Sequence, residues 1–240
     1  MIPKIIHYCW FGGKEIPTRE KKCMESWTSI HPDFQIMRWD ESTFNIEDYP
    51  FCKEAYRQGK FAYVADVARL VALHKYGGIY LDTDVELLRP LSDLMNNQLV
   101  MGFETDNIIQ TGLIASAPEN IYIEKMLGYY KSKSGFDTVD VTLPNSALFA
   151  EMFRKEGIPL DNKEYRRSDL ILLPSEYFCP INQATWEIRA TENSYCIHYL
   201  SGSWLGKKHR ISRKIKSIAG SIIGFETLSK IRNFILSSKK

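Results

Sequence analysis

The sequence predicts an α/β fold with parallel strand pairing, and three observations carry that reading. The first forty or so residues read strand, helix, strand, a β-α-β opening. A longer helix, Lys60 to Tyr76, ends at Gly77-Gly78 and passes straight into an apolar strand, Ile79–Leu81. That strand runs into Asp82-Thr83-Asp84, and ligands in open α/β sheets sit beyond the carboxyl ends of strands.

Taken in order, Pro3 leads into a first strand over Lys4–His7, and Phe11-Gly12-Gly13 is a loop. Thr18 to Ile30 has helical spacing of its apolar residues, with Thr18 as N-cap. Phe34 to Trp39 is the second strand, and Phe51 to Gln58 a short helix. After the Lys60–Tyr76 helix and the Ile79–Leu81 strand, Val85–Leu87 continues in extended form. Leu99–Phe103 and Ile108–Ala115 read as strands, Ile121–Tyr130 and Ser146–Lys155 as helices. Ile171–Leu173 and Cys196–Tyr199 read as late strands, and no internal repeat or low-complexity linker interrupts the pattern.

At 240 residues, 44% hydrophobic and 12% aromatic, the chain fits one medium globular domain with a sizeable core. The net charge of +2 hides an asymmetry. Lys207 to Lys240 carries ten Lys/Arg against one acid, Glu226, for +9, while residues 1–206 hold 21 bases and 28 acids, for −7. The division is therefore a catalytic-sized body, 1–206, and a basic tail, 207–240. Apolar residues from Ile218 to Leu236 recur at mostly helical spacing, so the tail reads either as a helix completing the fold or as an amphipathic helix on an anionic membrane. The acidic body offers no broad basic face to nucleic acid. Cys9, Cys23, Cys52, Cys179 and Cys196 are odd in number, widely spaced and free of any C-x-x-C, which predicts neither disulfides nor zinc but a reducing, cytoplasmic setting. The N-terminus lacks the apolar region of a signal peptide, and no run of 18 apolar residues exists.

Asp82 and Asp84 are the sharpest chemical signal. Strand alternation points both to one side. Two unpaired carboxylates at about 4 Å repel by roughly 4 kcal/mol at an effective dielectric near 20, so something cationic belongs between them. All-oxygen ligands favour Mg²⁺ or Mn²⁺, the usual partners of phosphates. Asp66 and Arg69 lie three apart on an otherwise apolar helix. Either they form an i,i+3 ion pair on a solvated face, or Arg69 forks onto phosphate or hydroxyls while Asp66 accepts from sugar hydroxyls. His7, Tyr8, Trp10 and Phe11 close the first strand as a core edge or as a stacking shelf for a base. His198, Ser201, Ser203 and Trp204 follow the last strand, as a turn or as groups completing a metal shell and capping a leaving group.

These segments fall in one order: the aromatic first strand, Ala65-Asp66-x-x-Arg69, Gly77-Gly78-x-Tyr80-x-Asp82-x-Asp84, and His198 to Trp204. Together with the opening Ile2-Pro3-Lys4-Ile5-Ile6-His7-Tyr8-x-Trp10, they resemble glycosyltransferase family 32 over roughly residues 1–205. That family holds capsular and lipopolysaccharide sugar transferases and fungal mannosyltransferases, with the large clostridial glucosylating toxins as distant relatives. The resemblance implies a GT-A fold, a Rossmann-like α/β/α sandwich with a mostly parallel sheet. It also implies metal-dependent, retaining transfer from a nucleotide-sugar donor, UDP-hexose by analogy, to a saccharide or lipid-linked acceptor at the inner face of the cytoplasmic membrane. By motif position it puts His7, Tyr8 and Trp10 at the nucleobase and Asp66, Arg69 and Asp82 at the ribose and donor sugar. Asp82, Asp84, His198 and Ser201 fall at Mn²⁺ or Mg²⁺, with Ser203 and Trp204 at the phosphate and glycosidic oxygen. Departures are Ala65, where relatives often carry Ser, Gln110-Thr111-Gly112 where many have Asn near a Gly, and Thr142-Leu143-Pro144-Asn145 in place of Thr-Gly-Pro. Two other functions fit less of the pattern: a sugar nucleotidyltransferase using Gly12-Gly13-Lys14 as a thin phosphate loop, and a non-catalytic carbohydrate-binding protein on the same fold.

Overall fold

The computed structural model describes residues 1–136, 144–182 and 185–201; the tail reading, on 207–240, lies outside them. Its elements are β1 (Ile5–Cys9), α1 (Thr18–Ile30), β2 (Gln35–Trp39), α2 (Pro50–Arg57), α3 (Phe61–Tyr76), β3 (Gly78–Leu81) and β4 (Val85–Leu87). They continue with β5 (Leu99–Thr105), β6 (Ile108–Ser116), α4 (Ile121–Lys131), α5 (Asn145–Lys155), β7 (Tyr165–Arg166) and β8 (Ile171–Leu173). Last come α6 (Ser175–Phe178), β9 (Ile181–Asn182), β10 (Glu187–Ile188) and β11 (Cys196–His198).

A seven-stranded sheet in the order β2-β1-β3-β6-β5-β8-β7 forms the centre. β1 pairs parallel with β2 and β3, and β5 parallel with β8, whereas β6 and β7 run against their neighbours. Five of the seven strands therefore share one direction, and the sheet is mostly parallel, as expected. The pleat divides each strand between two cores. Ile6, Tyr8, Ile79 and Leu81 face one side, where they pack with Trp27 of α1. Cys9, Tyr80 and Ile114 face the other, against Val64, Val67 and Leu70 of α3 and residues of α4 and α5. Helices thus cover both faces.

Several element ends shift by a residue or two from the sequence reading, and two of the shifts fall at prolines. Pro17, with extended φ −63° and ψ 156°, stands at the N-cap of α1 without a side-chain cap bond, and Thr18 is the first helical residue. Pro50 opens α2 at the position where its missing N–H costs nothing. The Gly77-Gly78 hinge is as expected, and both glycines are required by geometry. Gly77 has φ +62° and a Cβ there would lie 2.7 Å from Pro118, while Gly78 has φ +102° and a Cβ there would lie 2.6 Å from the Ile5 carbonyl. The last strand departs most. β11 pairs antiparallel with β4, setting His198 opposite Val85, in a two-stranded ribbon outside the main sheet. All five cysteines are free and buried. Among the described residues no helix is long and apolar enough to cross a membrane.

Candidate active site

The site forms where β3 ends. β3 stops at Leu81, and Asp82 to Asp84 make a turn into β4, so the two aspartates converge through the turn rather than through strand alternation. The turn is held by Asp82 N–H donating to the Gly112 carbonyl at 2.8 Å and Val85 N–H to the Asp82 carbonyl at 3.0 Å. Pairing of β11 with β4 then brings His198 to the turn. Its Nε2 lies 3.4 Å from Asp84 Oδ1 and 3.7 Å from Asp82 Oδ2. One donor atom each from Asp82, Asp84 and His198 lies within 4.8 Å of the others.

The two carboxylates are held differently. Asp84 is buried, and its Oδ2 accepts from both the N–H and the hydroxyl of Ser201 at 2.6 Å. Burial pushes the Asp84 carboxyl up, but His198 and the Ser201 bonds outweigh it and hold the group well below the usual carboxylate range. Burial likewise pulls His198 down, yet Asp84, Asp82 and Glu104 overcome it and raise the imidazole to about 9. His198 is therefore the cationic partner of the pair. Asp82 is more open, with its side chain 27% exposed, and its Oδ1 accepts from the Tyr80 hydroxyl at 2.7 Å.

Asp66 and Arg69 are not on a solvated face. Arg69 is 5% exposed and forks into the site from α3. Its Nη2 lies 3.0 Å from Asp66 Oδ1, its Nη1 donates to the Thr111 carbonyl at 2.8 Å and lies 3.4 Å from Asp82 Oδ1, and its Nε donates to the Ala65 carbonyl. The guanidinium also sits 4.5 Å from the centre of the Tyr80 ring. A buried cation needs this density of acceptors. Asp66 is lifted to about 6 by burial, against the pull of Arg69 and with the push of Asp82. Arg69 is thus held by the protein on several sides and orients Asp82 and Asp66.

The aromatic end of β1 divides. His7, expected at the nucleobase, is fully buried and is corrected to a structural group: Nε2 donates to the Gly77 carbonyl at 2.7 Å and Nδ1 accepts from Trp39 Nε1 at 3.1 Å. Burial lowers it to about 4, so it is neutral, with no ring nitrogen left for a ligand. Tyr8 is buried against the Trp27 ring, and Phe11 against Phe44. Trp10 is half-buried at the strand end, its Nε1 donating to the Lys14 carbonyl. Ser201, expected as a ligand, stands beside the cluster and donates its hydroxyl to Asp84. Ser203 and Trp204 lie outside the described residues.

Tyr80, Gln110, Thr111, Gly112 and Asn145 support the site, and none was singled out for such a role. Tyr80 was within reach, since a residue two before Asp82 in a strand faces the same side. Asn145 holds α3 from α5, donating to the Asp66 carbonyl at 2.9 Å and accepting from the Tyr130 hydroxyl at 2.7 Å.

The donor set fits a divalent cation of the Mn²⁺ class. It offers two carboxylates and an imidazole, a mixed O/N shell. The His198 nitrogen nearest both carboxylates is Nε2, and once neutral it could donate its lone pair to an ion there, while Nδ1 on the other side of the ring is buried with no hydrogen-bond partner. Binding would displace the His198 proton.

Residues 17–101 match the family model described as the glycosyltransferase sugar-binding region containing DXD motif. Inositol phosphoceramide mannosyltransferase 3 of Schizosaccharomyces pombe is 41% identical over 99 residues, 40% of this chain and 28% of that protein. Mannosyl phosphorylinositol ceramide synthase CSH1 of Saccharomyces cerevisiae is 25% identical over 184 residues, 74% of this chain and 49% of that one. The chain thus spans about half or less of the length of these two relatives. The uncharacterized glycosyltransferase L373 of Acanthamoeba polyphaga mimivirus is 28% identical over 76% of this chain and 74% of its own. Among solved structures, the PaToxG glycosyltransferase superposes with a TM-score of 0.52 at 18% identity, over 65% of this chain and 70% of that one. The fold is the GT-A fold, and the chain carries the DXD sugar-binding region of glycosyltransferases, as the resemblance implied.

Proposed function

We propose that this chain is a metal-dependent glycosyltransferase that moves a hexose from a nucleotide-diphosphate donor to a saccharide or lipid-linked acceptor with retention of configuration. One observation carries the reading: Asp82 and Asp84 of one turn and His198 of a distant strand converge on one point beyond the carboxyl end of β3. Asp82, Asp84 and His198 would hold Mn²⁺ or Mg²⁺. The ion would offset the charge that builds on the departing nucleoside diphosphate, worth several kcal/mol of barrier. The chain's own groups set the stage for this. Ser201 fixes Asp84, Tyr80 and Arg69 fix Asp82, and the carbonyls around Arg69 hold its positive charge beside the site.

For the donor, the family resemblance alone favours UDP-hexose, whereas the names of the fungal relatives favour a mannosyl donor and an inositol phosphoceramide acceptor. A capsular or lipopolysaccharide acceptor remains the bacterial version of the same chemistry. Residues 207–240 would bring the body to the inner face of an anionic membrane, where a lipid-linked acceptor resides. The test is a screen of UDP- and GDP-sugars for Mn²⁺-dependent turnover, with Asp84→Ala as control. Release of nucleoside diphosphate supports the proposal. Release of pyrophosphate makes the chain a nucleotidyltransferase, and sugar binding without turnover makes it a lectin-like scaffold. Turnover indifferent to Asp84→Ala removes the metal from the reading. Equal flotation on anionic liposomes by full-length protein and a chain ending at Gly206 removes the membrane.

A further inference from the structure

β6 carries a bulge whose position has consequences for the site. Its register with β5 jumps from Ala115↔Val100 to Gln110↔Gly102, so four residues, Thr111 to Ile114, face a single residue, Met101. The Gln110 side chain, fully buried, closes the bulge from within: Nε2 donates to the Leu113 carbonyl at 2.7 Å and Oε1 accepts from Leu113 N–H at 3.0 Å. A carboxamide here takes the place of a missing strand partner. Leu113 and Ile114 remain free to pair with Leu81 and Tyr80 of β3, which leads directly to the aspartates.

The residues left at the crest serve the site through backbone alone. The Thr111 carbonyl accepts from Arg69, and the Gly112 carbonyl accepts from Asp82 N–H. The His198 ring lies against the Gly112 Cα: a Cβ on residue 112 would come within 2.5 Å of both His198 Cε1 and Nδ1. Gly112 is not in the left-handed region, so its lack of a side chain serves the close approach and not the backbone conformation.

We propose that Gly112 is a positioning residue for the acidic site: with no side chain it admits the His198 imidazole to Asp84, and its peptide holds Asp82. An alanine there fits the backbone but not the ring, so His198 must swing away from the carboxylates. The inference rests on the metal reading above for its functional weight, while the geometric part stands without it.

The experiment is a double-mutant cycle of Gly112→Ala and His198→Ala, read by binding of Mn²⁺ alone, with free Mn²⁺ followed by electron paramagnetic resonance. Displacing a group that orients a metal ligand typically costs about 10–100-fold in affinity. Gly112→Ala should therefore weaken Mn²⁺ binding by at least about tenfold, yet change the His198→Ala protein by less than about twofold, because the clashing ring is gone. Equal weakening in both backgrounds would mean a general structural lesion and overturns the proposal. A crystal structure of the Gly112→Ala protein gives a second readout that needs no metal. The His198 ring should leave its 3.4 Å position beside Asp84 Oδ1. A ring that stays in place overturns the inference whatever happens to Mn²⁺. Wild-type protein that binds no Mn²⁺, with the ring displaced as expected in the variant, sinks the metal reading and leaves the geometry standing.

Discussion

Two strand ends of one sheet, β1 and β3, both present polar residues at the edge where ligands bind, and they solve the burial problem in opposite ways. At β1, His7 is neutral and spends both nitrogens on the Gly77 carbonyl and Trp39 Nε1. The demand is local, met without charge, and complete. At β3, Asp82 and Asp84 of the turn, Asp66 and Arg69 of α3, and His198 of β11 meet and bring three carboxylates to two cations. The negative charge there exceeds the positive, which is what the proposed cation would offset. The first arrangement uses neutral partners alone, whereas the second mixes neutral hydrogen bonds with opposed charges, the pattern in which functional sites concentrate.

The comparison breaks first on Asp84. If the acidic turn holds the catalytic ion, Asp84→Ala should lower turnover by about a thousand-fold, about 4 kcal/mol, in the sugar-nucleotide assay. The same change should leave the aromatic end intact, seen as an unchanged near-ultraviolet spectrum. His7→Phe should do the reverse. It strands the Gly77 carbonyl and Trp39 Nε1, at about 1–3 kcal/mol each, so the urea midpoint should fall clearly while Mn²⁺ affinity holds. Loss of Mn²⁺ affinity from a protein that still folds would place His7 in the site after all.

The two histidines should also have pH dependences of opposite sign. His7 titrates at about 4 in the fold against 6.5 ordinarily, so its unfolded form binds the proton first. Its contribution is full above pH 6.5 and drains as pH falls toward 4, by about 3 kcal/mol at 1.36 kcal/mol per unit. Asp66, raised from 3.8 to about 6, works against this trend in the same window, so the difference between wild type and His7→Phe is the quantity to follow. His198, raised from 6.5 to about 9, stabilises fully below pH 6.5 and loses that contribution as pH rises through 9. Urea unfolding with chelator present, at acid, neutral and alkaline pH, should show an acid slope that His7→Phe removes and an alkaline slope that His198→Ala removes. Slopes of the same sign would dissolve the distinction.

The smallest effect belongs to Tyr80. Tyr80→Phe removes one hydrogen bond to Asp82 Oδ1 and leaves Arg69 in place, at a cost of about 1 kcal/mol, or several-fold in Mn²⁺ affinity. No change in that affinity would mean that Arg69 alone orients Asp82.

Much of this was legible in the chain. The Gly77-Gly78 hinge, the apolar strand after it and the Asp-x-Asp beyond are consecutive residues whose conformations are dictated locally. The β-α-β opening, the α3 helix and the charged pair Asp66 and Arg69 follow from periodicity. The role of Arg69 was not legible, because spacing gives the direction of a side chain and not the acceptors waiting for it. His7 was misassigned for the same reason: an aromatic-rich strand end looks alike whether its histidine faces a ligand or the carbonyl of a glycine 70 residues away. Gln110 and Gly112 stood out only as a departure from the family pattern, since their work depends on a bulge created by two strands at once.

By itself, the sequence determined the longer strands and helices, where the hinge falls, and that two acids sit at its end, because these are properties of neighbouring residues; the short elements β7, α6, β9 and β10 were not legible in it. Only the tertiary structure decided that β11 leaves the main sheet to pair with β4, that His198 therefore meets Asp82 and Asp84, and that Gly112 makes room for it. Those contacts join residues more than eighty positions apart, and no rule of local conformation or spacing encodes a distance that only packing sets.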